Sequence, residues 1–307
     1  MFVLPSIYSD FAVLYRRNGY LQVNFYSEGC RFKKTGGCTF CNFPGDYKLG
    51  LSEVYSVMNT ALNEYGIEEI LFGVQGSIFD MEEFDNSCLN LVMEMAFKSG
   101  YKRIGFETHY SFVTRNILDK INRYRNEYSL NTEVYIELGL ETCVQKYIDR
   151  IGKKMNLQVL KKKIELIHSY NIDTVLNILW GIPCLDFKEN KDSFLKTVRF
   201  SLKTGSTVVA FPYNSIRRNE DSASIQDFAG MLYYNFSTSE LEMIRTAWYG
   251  DRQLSGLNLT HKPPKGVDDS IVDLFDTYNM YSLGTYRQYL LSLLISGKKE
   301  KDSKYIN

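Results

Sequence analysis

Strand-like and helix-like segments follow one another in strict alternation along most of this chain, and that alternation restricts the fold more than any single residue does. Apolar runs of strand length lie at about 20–27, 68–74, 102–107, 132–139, 173–180 and 206–212. Helical periodicity fills the gaps between them. In LSEVYSVMNTALNEYG, Leu51, Val54, Tyr55, Met58 and Leu62 recur at three-to-four spacing, which gathers them on one helical face, and Gly66 suits a stop. Similar patterns occupy 82–99, 111–128, 156–170 and 187–204. Repeated βα units require right-handed crossovers between parallel strands. Six of them predict an α/β protein built as a partial (β/α)6 TIM-like barrel rather than the closed eight-stranded form, with its reactive rim at the C-terminal ends of the strands.

Beyond residue 215 the alternation loosens. Polar RRNEDSAS at 217–224 precedes helix-like STSELEMIRTAW at 237–248, Pro263-Pro264, and a last helical region near 268–296. The expected organisation is an N-terminal extension over 1–19, a core over 20–215 and a C-terminal helical extension or cap over 216–307. A length of 307 residues accommodates this as one large domain or two smaller ones. Hydrophobic residues at 44% and charged residues at 23% exclude a disordered chain, a collagen or an extended coiled coil. The 36 Lys plus Arg balance 36 Asp plus Glu, so no global field holds a polyanion, although a local basic patch remains open. The stretch MFVLPSIYSDF lacks a basic leader and a long apolar run. YLLSLLIS at 289–296 is far short of the ~20 residues a membrane span needs. A cytoplasmic protein is expected, in a compartment where thiols stay reduced.

Immediately after the first core strand comes EGCRFKKTGGCTFCNFPG, which sets Cys30, Cys38 and Cys41 in a C-x7-C-x2-C array on the expected reactive rim. Six cysteines are too few for a disulfide scaffold in a chain of this length, and three of them share this loop. Gly29, Gly36, Gly37 and Gly45 let the backbone wrap a bulky inorganic body. Thiolates are soft donors for iron–sulfur clusters or zinc, and Arg31, Lys33 and Lys34 favour the deprotonated form. Structural zinc wants four ligands, and only distant His109 is at hand as a fourth. Three cysteines on a cubane leave one iron open to a reactant, so a [4Fe–4S] cluster is favoured over zinc.

With an aromatic residue before the last cysteine, in CTFC, the loop resembles that of radical S-adenosylmethionine (SAM) enzymes. The long first gap and Gly-Gly-Cys-Thr are similar to the group of the archaeosine-forming radical SAM enzyme and, more distantly, the Elongator catalytic subunit. The resemblance covers roughly residues 20–220 and carries expectations to later strand ends. FGVQGSIFD supplies Gln75, Gly76 and Ser77 where relatives receive the SAM amino group. FETHYSFV matches relatives at Glu107 and Thr108, and IELGLETCV at Glu141, a SAM-contact position, with Glu137 on the same strand face. The GIP turn of Gly181 and Pro183 is similar to the strand-five motif packed against adenine, while Asn177 is either a buried amide or a ligand contact. Pro212, Asn214 and Arg218 are rim residues of a looser match. Cys143 reads as a small buried residue, and Cys88 and Cys184 lack the neighbours a second cluster would need.

The resemblance implies an enzyme with two cofactors, a [4Fe–4S] cluster and SAM. SAM is cleaved reductively to a 5′-deoxyadenosyl radical, which abstracts hydrogen from a substrate, and an external donor of flavodoxin or ferredoxin type supplies the electron. A small-molecule or peptide substrate fits the charge balance better than tRNA. Modification of a tRNA base is the alternative, as is a zinc-stabilised binding protein without catalysis.

Overall fold

The protein is described from a computed structural model, which covers residues 6–17, 19–38, 45, 47–180, 182, 185–212 and 238–247. Among these the strands are β1 (Ser6–Tyr8), β2 (Ala12–Arg17), β3 (Tyr20–Phe25), β4 (Glu69–Val74), β5 (Arg103–Thr108), β6 (Glu133–Glu141), β7 (Asp173–Trp180) and β8 (Thr207–Pro212). Their order in the sheet is their order in the chain, β1 through β8, so the sheet does not close on itself. β1, β2 and β3 pair antiparallel, whereas β3 to β6 pair parallel. Helices cross between the parallel strands: α1 (Arg31–Lys34), α2 (Leu51–Leu62), α3 (Asn86–Lys98), α4 (Arg115–Tyr128), α5 (Gln145–Arg150), α6 (Leu157–His168) and α7 (Phe187–Lys203), with α8 at Thr238–Ala247. This is the α/β architecture of a partial barrel that the alternation predicts. The expected cap, 216–307, lies outside the described residues except for α8.

The chain forms two compact units. One comprises Leu4–Gly139 with Gly152–Val175, and the other comprises Met1–Val3, Leu140–Ile151 and Leu176–Asn307. In the first, every residue of β4, EILFGV, is buried, as strands covered on both faces must be. The helices turn apolar stripes inward: Ile117, Leu118, Ile121 and Tyr124 on α4, and Leu160, Ile164 and Ile167 on α6. Their starts are capped by side chains. Thr114 Oγ1 accepts from Ile117 N at 3.3 Å, and Asn156 Oδ1 accepts from Gln158 N and Val159 N at 3.0 and 3.1 Å.

Gly105 and Tyr135 are register partners on β5 and β6. A Cβ on Gly105 would lie 2.2 Å from Tyr135 Cζ, so the ring occupies the space that only glycine leaves. Below that ring, Arg103 is 4% exposed, and its guanidinium stands 5.3 Å from the ring centroid and 3.3 Å from both Glu133 and Asp173. This buried cation ties the N-terminal ends of β5, β6 and β7. The opposite ends of the strands are free to carry chemistry.

Candidate functional site

The loop leaving β3 is closed at its neck. Tyr47 N donates to Ser27 O at 3.1 Å, the Tyr26 and Tyr47 rings stand 5.7 Å apart, and a Cβ on Gly45 would strike Glu28 O at 2.2 Å. Inside the neck, Cys30 is half-buried and begins α1, with Lys34 N donating to its carbonyl at 3.2 Å. Cys38 is half-buried and takes φ 44°, a left-handed conformation that costs a non-glycine residue about 1 kcal/mol. Its N–H donates to Gly152 O at 3.0 Å, which anchors that turn to the segment before α6. Cys41 lies outside the described residues.

Arg31 holds the loop by charge. Its Nε donates to Asp80 Oδ2 at 2.6 Å, its Nη2 to the other Asp80 oxygen, and Nη2 stands 3.2 Å from Glu82. The guanidinium also covers the Phe112 ring at 4.9 Å. Phe32 packs against His109 and Phe112, with centroids 4.5 and 5.9 Å away. His109 Nδ1 shares a hydrogen bond of 2.7 Å with Ser111 Oγ. Burial, with Lys153 adding to it, pushes the His109 pKa down to about 3, so the imidazole is neutral.

At the end of β4, Gln75 and Gly76 are half-buried and Ser77 is buried. Ser77 is already engaged by protein groups: its N–H donates to Glu83 Oε2 at 2.9 Å, and its Oγ accepts from His109 N at 3.0 Å. Gly76 is a close approach, because a Cβ there would stand 2.3 Å from Glu83 Oε2 and 2.8 Å from Cys30 Cα. Glu83 also accepts from Ser27 Oγ at 2.7 Å, and burial pushes its carboxyl pKa up against the pull of these two hydrogen bonds. Sequence reasoning missed Ser27, Asp80 and Glu83. The only trace of the last two is the acidic run directly after the GS turn.

Glu107 is half-buried at the end of β5, and its Oε2 lies 2.9 Å from the point where a Cβ on Gly73 would stand. Asn24 Oδ1 approaches the same point at 2.6 Å. Across the sheet Glu107 is the register partner of buried Glu137, so two carboxylates and an amide share one level of β3, β5 and β6.

In the second compact unit, Glu141 is buried at the end of β6 with φ 67°, a conformation rare for glutamate. The turn behind it is fixed by α7. Thr142 Oγ1 and Ser193 Oγ share a hydrogen bond of 2.8 Å, and Cys143 N donates to Thr197 Oγ1 at 3.0 Å. Cys143 is half-buried, and burial pushes its thiol pKa up, as it does for buried Cys88. Gly181, Pro183 and Cys184 lie outside the described residues, as do Asn214 and Arg218, and nothing is described of the Pro212 side chain. Between Gly181 and Pro183, Ile182 N donates to Asn190 Oδ1 at 2.9 Å, and Asn177 is buried on β7.

The donor set fits a [4Fe–4S] cluster. Two half-buried thiols stand on turns at the end of a parallel strand, and soft sulfur suits iron where the carboxylates of a hard-cation site would not. The half-buried Gln75, Gly76 and Glu107 at neighbouring strand ends fit a polar small molecule beside it.

Comparisons with known proteins point the same way. The family model described as the radical SAM superfamily matches residues 24–211. The uncharacterized protein MJ0550 of Methanocaldococcus jannaschii is 25% identical over 179 residues, which are 54% of this chain and 47% of that protein. The chain thus spans about half the length of the relative it matches. The fold is similar to that of methylornithine synthase (PylB), with a TM-score of 0.50 and 13% identity over 64% of this chain and 54% of that one. It is also similar to HydG, a maturase of the [FeFe]-hydrogenase, with a TM-score of 0.50 and 14% identity over 74% and 48% of the two chains.

Proposed function

Because this chain belongs to the radical SAM superfamily, whose members bind a [4Fe–4S] cluster and SAM, we propose that Cys30, Cys38 and Cys41 hold the cluster in this enzyme. The observation that carries the proposal is the meeting of Gly76 and Cys30, which brings the end of β4 against the first cysteine. When bound, the cluster would supply the electron for reductive cleavage of SAM, the chemistry from which hydrogen abstraction from a substrate starts. Gln75, Gly76 and Glu107 bind and orient SAM on this reading, and the sequence resemblance alone adds Glu141, Gly181 and Pro183 as SAM contacts. Ser77 contributes by holding the turn, since its N–H and Oγ are taken by Glu83 and His109.

The substrate is a small molecule or peptide, a reading supported by the balance of 36 basic against 36 acidic residues. An acceptor site for electrons from a flavodoxin- or ferredoxin-type donor goes with it. The C-x7-C-x2-C spacing supports kinship with the archaeosine-forming and Elongator group within the superfamily.

Reconstitution tests the proposal. Anaerobic protein supplied with iron, sulfide, dithionite and SAM is expected to form 5′-deoxyadenosine, and Cys38→Ala to abolish it. A wild-type protein that takes up zinc and no iron would overturn the reading.

A further inference from the structure

We propose that Glu83, which belongs to neither the cysteine loop nor the strand-end turn, is the positioning residue that locks the two together. The inference rests on reading Cys30 as a cluster ligand and Gly76 as facing SAM. Glu83 is only 9% exposed, and each of its oxygens serves a different segment. Oε1 accepts from Ser27 Oγ at 2.7 Å, and Ser27 Oγ in turn accepts at 3.1 Å from the N–H of Gly29, the residue just before Cys30. Oε2 accepts from Ser77 N at 2.9 Å, the peptide just after Gly76.

A methyl group on Gly76 would collide with both this carboxylate and Cys30 Cα, so the three groups meet at one point. The same turn grips the other side of the cysteine. Asp80 is 1% exposed, receives Arg31, and is bonded to Glu83 by Glu83 N donating to Asp80 O at 2.9 Å. The residues before and after Cys30 are therefore both held from the 80–83 turn.

Burying a carboxylate costs free energy that an apolar side chain of the same volume would not cost. An apolar side chain, however, would leave the Ser27 hydroxyl and the Ser77 N–H without an acceptor. What Glu83 adds is direction. It fixes where Cys30 lies relative to Gly76, and so where a sulfur ligand lies relative to the SAM pocket.

The test compares reconstituted wild type with Ser27→Ala, Glu83→Gln and Glu83→Ala, by SAM binding in equilibrium dialysis and by the change that SAM causes in the electron paramagnetic resonance spectrum of the reduced cluster. Ser27→Ala cuts only the arm to Gly29, Glu83→Gln keeps the volume and one acceptor oxygen, and Glu83→Ala cuts both arms. All three are expected to load iron, with SAM affinity falling least in the first two and about tenfold or more in Glu83→Ala, together with a reduced spectral response. Unchanged affinity and spectra in Glu83→Ala would overturn the inference. So would loss of folding in all three variants, because Glu83 would then serve the barrel and not the site. A wild type that takes up no cluster fails instead on the proposed function.

Discussion

Burial acts in opposite senses on two side chains that flank Ser77: it raises the pKa of the Glu83 carboxyl and lowers that of the His109 imidazole to about 3. Two donors, Ser27 Oγ and Ser77 N, pull against that rise. The imidazole simply stays neutral, packed against Phe32. Its depressed value has a sign that can be measured. Below the usual pKa of 6.5 the unfolded chain takes up a proton that the folded chain refuses until about pH 3. Stability is therefore lost as pH falls through that window. His109→Gln removes this one-proton contribution, so the urea midpoint of the variant is expected to fall less steeply from pH 7 to pH 4 than that of the wild type. Parallel curves would show that the ring is not the group responsible. The three cysteines were singled out at this scale by spacing and residue type alone. Ser27, Asp80 and Glu83 were not, because a serine or carboxylate gains meaning only from the partner that folding brings to it.

At the scale of elements, α7 separates two tasks along its length. Asp186 caps its start, accepting from Glu189 N at 2.7 Å, while Asn190 accepts from Ile182 N, and Ser193 and Thr197 reach the turn after β6. Replacing the cap with Asp186→Ala is expected to cost about 1 kcal/mol of stability and leave SAM affinity alone. Asn190→Leu leaves Ile182 N without its acceptor, at a cost of about 1–3 kcal/mol, and is expected to weaken SAM binding as well. Equal SAM affinities for the two variants would show that SAM binding does not depend on the hydrogen bond from Ile182 N to Asn190. All six core strands fall where periodicity sets them, each boundary within two residues, since each needs only an apolar run between punctuation. β1 and β2 escaped notice, although Ala12 and Leu14 are buried, because an apolar run as short as FAVLY shows no alternation that would mark it as a strand. α1 and α5, with four and six residues, are too short for a 3.6-residue period to register.

For the whole molecule, charge is the term that the totals decide. A formal net charge of +0 gives no long-range attraction to a polyanion. Filter binding of bulk tRNA at physiological salt is accordingly expected to give a dissociation constant no tighter than about 1 μM, the non-specific range. Nanomolar binding would move the substrate class to RNA. Among the described residues no helix is long and apolar enough to cross a membrane.

The amino-acid sequence by itself determined the alternation, and through it the parallel sheet, because periodicity and turn chemistry act over a few residues and need no distant partner. It also determined the thiol trio, whose members are near neighbours along the chain. Tertiary structure alone decided that Gly76 touches Cys30, that Arg31 closes on Asp80, and that Glu83 joins segments some fifty residues apart along the chain. Such contacts are set by how strands and helices pack, and the same side chains placed elsewhere on the sheet would be ordinary solvated charges.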